Sequence, residues 1–261
     1  MTDQHTFPSL EFAWRTDRGV VRTGNEDAVA VHPQLNLVVV ADGVGGASAG
    51  EVASRTAVDL ISQRFEERLP SRETPRMAQL LTEAVVDEAN SAILKSSKEH
   101  PEYAGMGTTV VMGYVGHDWL VYGHVGDSRL YRLRDGVLDQ LTRDHSFIQE
   151  VVDQGFFPSL EEAREYGITD NVLTRALGSS SRVKATTAST KIAPGDIYLF
   201  CTDGLTGMLP HTEIRNVLVA VEDSLDTAAE TLVTLACKRG GNDNITVALL
   251  RVNALPTANA N

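Results

Sequence analysis

TTVVMGYVGHDWLVYGHVGDSRLYRLRDGVLDQL, residues 108–141, is the stretch that decides the architecture. Apolar and β-branched residues crowd four short runs, Thr108–Val115, Trp119–Val125, Arg129–Leu133 and Val137–Leu141, and each reads as a strand. The connections between them are too short to hold a crossover helix, and Asp135-Gly136 is the strongest short-range hairpin signal available. Strands in such quick succession pair antiparallel, which excludes a run of βαβ units.

Working outward, residues 35–41 (LNLVVVA) form a buried strand feeding Asp42. Ser48, with Glu51 three residues on, opens a helix through a capping box, and Val52, Thr56, Ala57, Leu60 and Ile61 repeat at helical spacing. Thr74-Pro75 starts a second helix with proline at its first position. Its apolar stripe is Met77, Leu80, Leu81, Ala84, Val85, Ala92 and Ile93. Downstream, Asp144 is expected to cap a short helix ending near Gly155. Residues 156–181 read as irregular, apart from a short helix after Ser159 with Glu162 completing its box. A strand over Ile197–Thr202 runs into Asp203, Thr212 and Ser224 begin two more helices, the second ending at Gly240, and Ile245–Val252 is a last strand. The class is α+β, with helices outside packed antiparallel sheets. No internal repeat and no linker divides the 261 residues. Residues 1–12 are expected to be an extension, 13–252 one domain, and 253–261 a disordered tail.

Composition narrows the function. With 23 Lys+Arg against 35 Asp+Glu the net charge is −12, which argues against nucleic acid or an anionic membrane as partner, since both need a basic face. Two cysteines, Cys201 and Cys237, make no disulfide framework and read as small buried hydrophobes. Residues 1–12 lack the basic start and apolar run of a signal peptide, and no stretch is long and apolar enough to span a bilayer. A cytoplasmic monomer is the expectation.

Five acidic–glycine punctuations recur along the chain: Arg22-Thr23-Gly24-Asn25-Glu26-Asp27, Asp42-Gly43-Val44-Gly45-Gly46, Gly126-Asp127-Ser128-Arg129, Thr202-Asp203-Gly204 and Gly241-Asn242-Asp243-Asn244. Asp42, Gly126 and Asp203 follow strand-like runs, and Asp243 precedes one. Carboxylates converging from strand ends raise one another's pKa unless a cation neutralises them, and an all-oxygen cluster suits Mg²⁺ or Mn²⁺. Two such ions bridged by one carboxylate, about 3.5–4 Å apart, are a standard device for phosphoryl chemistry, with water as the nucleophile. Asp42 is the candidate bridge, and Gly43 leaves its carbonyl open to an ion. A lone Asp-Gly is a plain turn, and Asp135-Gly136 is read so. Arg22 could aim a phosphate-binding fork into the same cleft, or could be a surface arginine paired with Glu26 or Asp27.

Two other readings fail. Gly43-Val44-Gly45-Gly46 after a strand resembles a dinucleotide turn, but Ser48 takes the sixth fingerprint position and the hairpins do not suit a parallel sheet. Asp144-His145-Ser146 holds triad residue types, but a triad needs spatial rather than sequential adjacency. Asp144 is read as a cap and His145 as a first-turn residue.

Taken in order, these segments resemble the metal-dependent serine/threonine protein phosphatases of the type 2C (PPM) family in its bacterial form. The resemblance runs from about Thr16 to Val252 and includes Gly107-Thr108-Thr109, Leu141-Thr142-Arg143-Asp144-His145-Ser146 and Asn242-Asp243-Asn244-Ile245-Thr246-Val247. It implies a four-layer α-β-β-α sandwich, two central antiparallel sheets flanked by paired helices. It implies that Asp42 bridges two Mn²⁺ or Mg²⁺ ions, that Gly43 supplies a backbone oxygen, and that Asp203 and Asp243 complete the set. Asp127 with Asp203 resembles the place of a third, weaker ion. Glu26, Asp27 and Asn244 resemble groups that stand behind the ligands, the two acids ordering water on the ions, and Arg22 resembles the phosphate-binding arginine. Residues 156–181 resemble the family's flap, with Asn171–Gly178 as its exit.

The implied reaction is hydrolysis of phosphoserine or phosphothreonine in proteins by a hydroxide held between the ions, opposing a serine/threonine kinase. The chain departs from the pattern at Ala47, where many bacterial members carry His, and at Val44, where they carry Met. With Ala47 the leaving hydroxyl must take its proton from water. A phosphatase-fold regulatory protein, a nuclease and a small-molecule phosphatase are the alternatives. The intact acid set speaks against the first, and the acidic balance against the second.

Overall fold

The structure is a computed structural model and describes residues 7–45, 49–69, 74–220 and 224–256. Its strands and helices are, in chain order, β1 (Ser9–Asp17), β2 (Asp27–His32), β3 (Leu37–Val44), α1 (Ala49–Arg68), α2 (Pro75–Glu99), β4 (Gly107–Thr108), β5 (Val110–Val115), β6 (Trp119–Val125), β7 (Arg129–Arg134), β8 (Val137–Gln140), α3 (Phe147–Asp153), α4 (Leu160–Glu165), β9 (Thr186–Lys191), β10 (Ile197–Cys201), α5 (Asp203–Thr206), α6 (His211–Ala220), α7 (Leu225–Lys238) and β11 (Ile245–Ala254). One sheet has the order β1-β11-β10-β7-β8, and the other β2-β3-β5-β6-β9 with β4 paired to β3. Every pairing is antiparallel.

Three apolar layers stack these elements. Val38, Val40, Leu120, Phe200 and Leu250 fill the space between the sheets. On the opposite face of β3, Val39 and Ala41 meet Ala57, Ile61 and Phe65 of α1 and Val86 of α2. Leu199 and Leu249 meet Leu218, Leu232 and Ala236 of α6 and α7. Strand alternation alone sends neighbouring valines of β3 to opposite layers. The four-layer α-β-β-α sandwich is therefore built as expected.

The hairpin stretch pairs as read: β5 with β6 from Val110↔Val125, and β7 with β8 from Arg134↔Val137. Asp135 takes a left-handed backbone (φ 51°) beside Gly136 (φ 73°), as a tight hairpin requires. Thr74 caps α2, Ser159 caps α4 and Ser224 caps α7. Ser48 lies outside the described residues.

Several expectations need correction. β1 begins at Ser9, inside the supposed extension, and pairs along its length with β11. β11 in turn runs to Ala254, so residues 253–254 belong to the sheet and not to a tail; residues 257–261 lie outside the described ones. Asp144 caps nothing: Ser146 caps α3, its hydroxyl accepting from Gln149 N–H, and Asp144 takes a fork from Arg129 (Nε and Nη2, 2.6–3.0 Å). His145 is buried rather than in a first turn. On α2, Met77 and Leu80 are exposed, and the buried face is Ala78, Thr82, Val85, Val86, Ala89, Asn90 and Ile93. Cys237 is only half buried, its thiol 3.7 Å from Asp17 Oδ1, while Cys201 is fully buried.

Candidate functional site

β2 and β3 set Asp27 directly across from Asp42. Like charges in register repel unless one is neutral or a cation intervenes. The backbone of Asp42 is pinned on both sides. Its N–H donates to Thr109 Oγ1 (3.0 Å), and its carbonyl accepts from Thr109 N–H (2.8 Å) and Thr108 Oγ1 (2.8 Å). Thr109 Oγ1 also shares a buried 2.7 Å hydrogen bond with Ser128, the neighbour of Asp127. Gly43 has to be glycine: a Cβ there would lie 2.2 Å from Gly50 O and 2.6 Å from Glu26 O.

Asn244 ties the 18–26 loop to the start of β11. Its Oδ1 accepts from Glu26 N–H (2.8 Å), and its Nδ2 donates to Arg18 O (3.0 Å) and Gly24 O (2.9 Å). Its own N–H donates to Asp243 Oδ1 (2.8 Å). One residue, through its side chain and its backbone N–H, thus aims Glu26, Asp243 and the Arg22 loop at one place. Asp203 opens α5 at the end of β10, and a Cβ on Gly204 would fall 1.9 Å from Asn244 O, so α5 presses directly on the start of β11.

Arg22, Glu26, Asp42, Gly43, Asp127, Asp203, Asp243 and Asn244 all line one cavity of about 310 Å³. Asp27 stands behind it, buried, its Oδ2 accepting from Thr246 Oγ1 (2.6 Å) and Thr202 Oγ1 (3.0 Å). Arg22 pairs neither with Glu26 nor with Asp27; its Nη2 donates to Asp243 Oδ2 at 2.7 Å. Sequence reasoning missed Thr109, Asn171 and Leu173, which also line the cavity, and the Thr202 and Thr246 hydroxyls. Thr202 and Thr246 flank Asp203 and Asn244 in the chain, but only the β10–β11 pairing reveals that they share one carboxylate. Ala47 and Gly46 lie outside the described residues.

The electrostatics are those of crowded acids. Burial, followed by the charges of Asp27, Asp203, Asp127 and Asp243, holds Asp42 well above the ordinary carboxylate range. Burial raises Asp27 to about 7 against the two hydroxyl bonds, with Asp203 and Asp243 adding to the rise. Asp127 is also raised to about 7, by burial and then by Asp203 and Asp144. Asp203 and Glu26 are raised chiefly by burial.

As the side chains lie, no three acidic, histidine or cysteine groups among the described residues are arranged to enclose an ion. The donor set nonetheless fits a hard divalent cation. It is all oxygen, Asp27 Oδ1 and Asp203 Oδ1 are buried with no hydrogen-bond donor, and Gly43 offers backbone unshielded by a side chain.

A family model described as protein phosphatase 2C matches residues 20–241. The chain belongs to the protein phosphatase 2C family. It is therefore a phosphatase, an enzyme rather than a binding module by kinship. It is similar to the serine/threonine phosphatase stp of Listeria monocytogenes, 38% identical over 240 residues that cover 91% of this chain and 94% of that protein. It is 37% identical to serine/threonine protein phosphatase PstP of Mycobacterium tuberculosis over 93% of this chain and 45% of that protein. Among solved structures, the S. agalactiae serine/threonine phosphatase superposes with a TM-score of 0.86 at 32% identity, covering 94% of this chain and all 100% of that one. The catalytic domain of PstP in complex with two manganese ions gives 0.81 at 36%, covering 93% and 97%. Among the described residues no helix is long and apolar enough to cross a membrane.

Proposed function

We propose that this phosphatase removes phosphate from serine and threonine side chains of proteins and needs two divalent cations, Mn²⁺ or Mg²⁺, to do so. The observation that carries the reading is the acid-lined cavity whose members raise one another's pKa and in which Asp203 Oδ1, like Asp27 Oδ1 behind it, is buried without a donor. Asp42, Asp203, Asp243 and the Gly43 carbonyl would hold the ions. Asp127 with Asp203 would hold a third, weaker one. Such ions supply an activated water and offset charge on the phosphoryl oxygens.

The chain's own groups do the rest. Arg22, half exposed at the rim, turns its fork from Asp243 to the phosphate, where two parallel N–H bonds match the phosphoryl oxygens. Glu26 at the lining and Asp27 from behind it would order water drawn into the cavity, and Asn244 keeps Glu26 and Asp243 aimed inward. With Ala47 in place of a histidine, water protonates the leaving hydroxyl. The acidic surface gives no long-range pull on phosphorylated targets, so recognition is short-range, at the cavity and the 156–181 flap. The physiological role is to oppose a serine/threonine kinase in the cytoplasm, acting as a monomer.

Asp203→Ala and Asp243→Ala test the reading. Each should lower turnover of a phosphothreonine peptide about 1,000-fold at saturating Mn²⁺, roughly 4 kcal/mol, and weaken Mn²⁺ binding measured by calorimetry. Turnover within about tenfold of wild type would contradict the assignment.

A further inference from the structure

Beside the cavity, but outside its lining, two imidazoles are stacked: His124 and His145, with ring centroids 4.4 Å apart and 14° between planes. Both are buried, and the catalytic reading uses neither. His145 is bonded to the Asp127 turn twice. Its N–H donates to Gly126 O (2.9 Å), and its Nδ1 accepts from Gly126 N–H (3.1 Å). A backbone N–H can only donate, so Nδ1 carries no proton. Of the two ring nitrogens only Nε2 has an acceptor in reach, Thr186 Oγ1 of β9 (3.0 Å), so a neutral ring carries its proton there, and the neighbouring Arg175 Nη1 donates to the same hydroxyl (3.5 Å) rather than to Nε2.

The same residue holds the exit of the flap. His145 O accepts from Thr174 N–H (2.9 Å), and next to it Phe147 N–H donates to Val172 O (2.8 Å), with Ser146 bridged to Leu173. Leu173 and Asn171 line the cavity. Gly126 itself sits at φ +101°, where a side chain is strained, and a Cβ would meet Thr109 Cγ2 at 2.6 Å. The turn that carries Asp127 is therefore wedged between Thr109, which pins Asp42, and His145, which pins the flap.

We infer that His145 is a positioning residue: a permanently neutral imidazole, protonated on Nε2, that joins the flap exit to the Gly126 turn and so sets where Asp127 presents its carboxylate. Protonation at Nδ1 would set two donors face to face across the Gly126 bond. Arg175 Nη1, 3.3 Å from Nε2, and the stacked His124 further disfavour a cationic ring. In keeping with this, burial, then His124 and Arg175, push the His145 pKa down to about 3. The inference rests on the proposed role of Asp127 as an ion ligand.

Two substitutions separate the joint from plain packing. His145→Asn keeps an acceptor oxygen near the position of Nδ1, whereas His145→Phe keeps only the ring. The probe is Mn²⁺ alone, titrated by calorimetry, with Asp127→Asn as the control that reports the ligand role. We expect Asp127→Asn and His145→Phe each to weaken the lower-affinity Mn²⁺ event at least tenfold, and His145→Asn to stay within about threefold of wild type. Amide exchange at 126–128 should quicken in His145→Phe and not in His145→Asn. In the wild type, the ¹⁵N spectrum of the His145 ring should show a bare Nδ1 and a protonated Nε2, unchanged from pH 5.5 to 8.5.

If Asp127→Asn weakens the event and His145→Phe does not, the joint is wrong and the ligand reading stands. If Asp127→Asn leaves Mn²⁺ binding intact, the ligand reading fails, and the joint stands or falls on the exchange rates and ring spectrum. Equal losses in both His145 variants, tracking a common fall in Tm, would reduce His145 to packing and overturn the inference.

Discussion

Replacing Asp27 by asparagine should stabilise the metal-free protein, and by an amount that depends on pH. Asp27 is buried across from Asp42, and its pKa is raised from 3.8 to about 7. Ionising it in the folded chain is therefore roughly 4 kcal/mol harder than in the unfolded one. A raised carboxyl pKa gives stability that is complete below about pH 4, where both states are protonated, and that is lost as pH rises through about 7.

At pH 8 the wild type bears the whole roughly 4 kcal/mol, and at pH 5 roughly 2 kcal/mol of it. Asparagine escapes this cost and still accepts from Thr246 and Thr202. Its amide N–H₂, however, takes the place of Oδ1, which has no partner, and an unsatisfied buried donor costs about 1–3 kcal/mol. The difference predicts that Asp27→Asn is about 1–3 kcal/mol more stable at pH 8 and near parity at pH 5. For a chain of this size that is a Tm rise on the order of 5 °C. Thermal unfolding in chelator, followed by circular dichroism at pH 5, 6, 7 and 8, reads it directly. A variant less stable at pH 8, or one offset by the same amount at every pH, would refute the reasoning.

Arg22→Ala should raise KM for a phosphopeptide and change kcat little, since the fork binds phosphate in ground and transition states alike; a fall confined to kcat would count against that role. Asp144→Ala strands the Arg129 guanidinium, whose side chain is 22% exposed against 8% for Asp144. It should cost about 3–5 kcal/mol in denaturant unfolding, whereas a loss below about 1 kcal/mol would show the pair to be dispensable. Gly43→Ala drives a Cβ into the Gly50 and Glu26 backbone and should cost about 1–3 kcal/mol while weakening Mn²⁺ binding; unchanged Tm and binding would disprove the close approach.

What could be read in advance was what local chemistry determines. The hairpin run 108–141 alternates and turns within its own length, and Thr74-Pro75, Ser159 and Ser224 cap their helices with neighbouring backbone. β1 and β9 escaped because their pairing is long-range; β2 pairs with its neighbour β3 from His32↔Leu37, and its short Ala28-Val29-Ala30-Val31 run carries no apolar–polar alternation to mark it. Ser9 meets Ala254 across the whole chain, and Thr186–Lys191 is a polar, half-exposed edge that only β6 makes a strand. Asp144 was misread for the same reason: a cap is a local bargain, and Arg129, drawn in from β7, outcompetes it. On α2, small Ala78 and polar Thr82 and Asn90 go inward, Asn90 because its side chain bonds Ser180 O and Gly178 N–H of the 156–181 segment. Met77 and Leu80, the larger apolar groups, are left outside. The acid set was legible as a set because each member stands at a strand end beside a small residue. The groups that fine-tune it, Thr202, Thr246 and His145, are visible only once the strands are paired.

The most direct test of the account is hydrolysis of a phosphothreonine peptide by the wild-type protein with Mn²⁺, with Mg²⁺ and after EDTA. Activity that is absent in EDTA and returns with Mn²⁺ or Mg²⁺ is the predicted result. Full activity in EDTA, or none with either ion from a folded protein, would contradict it.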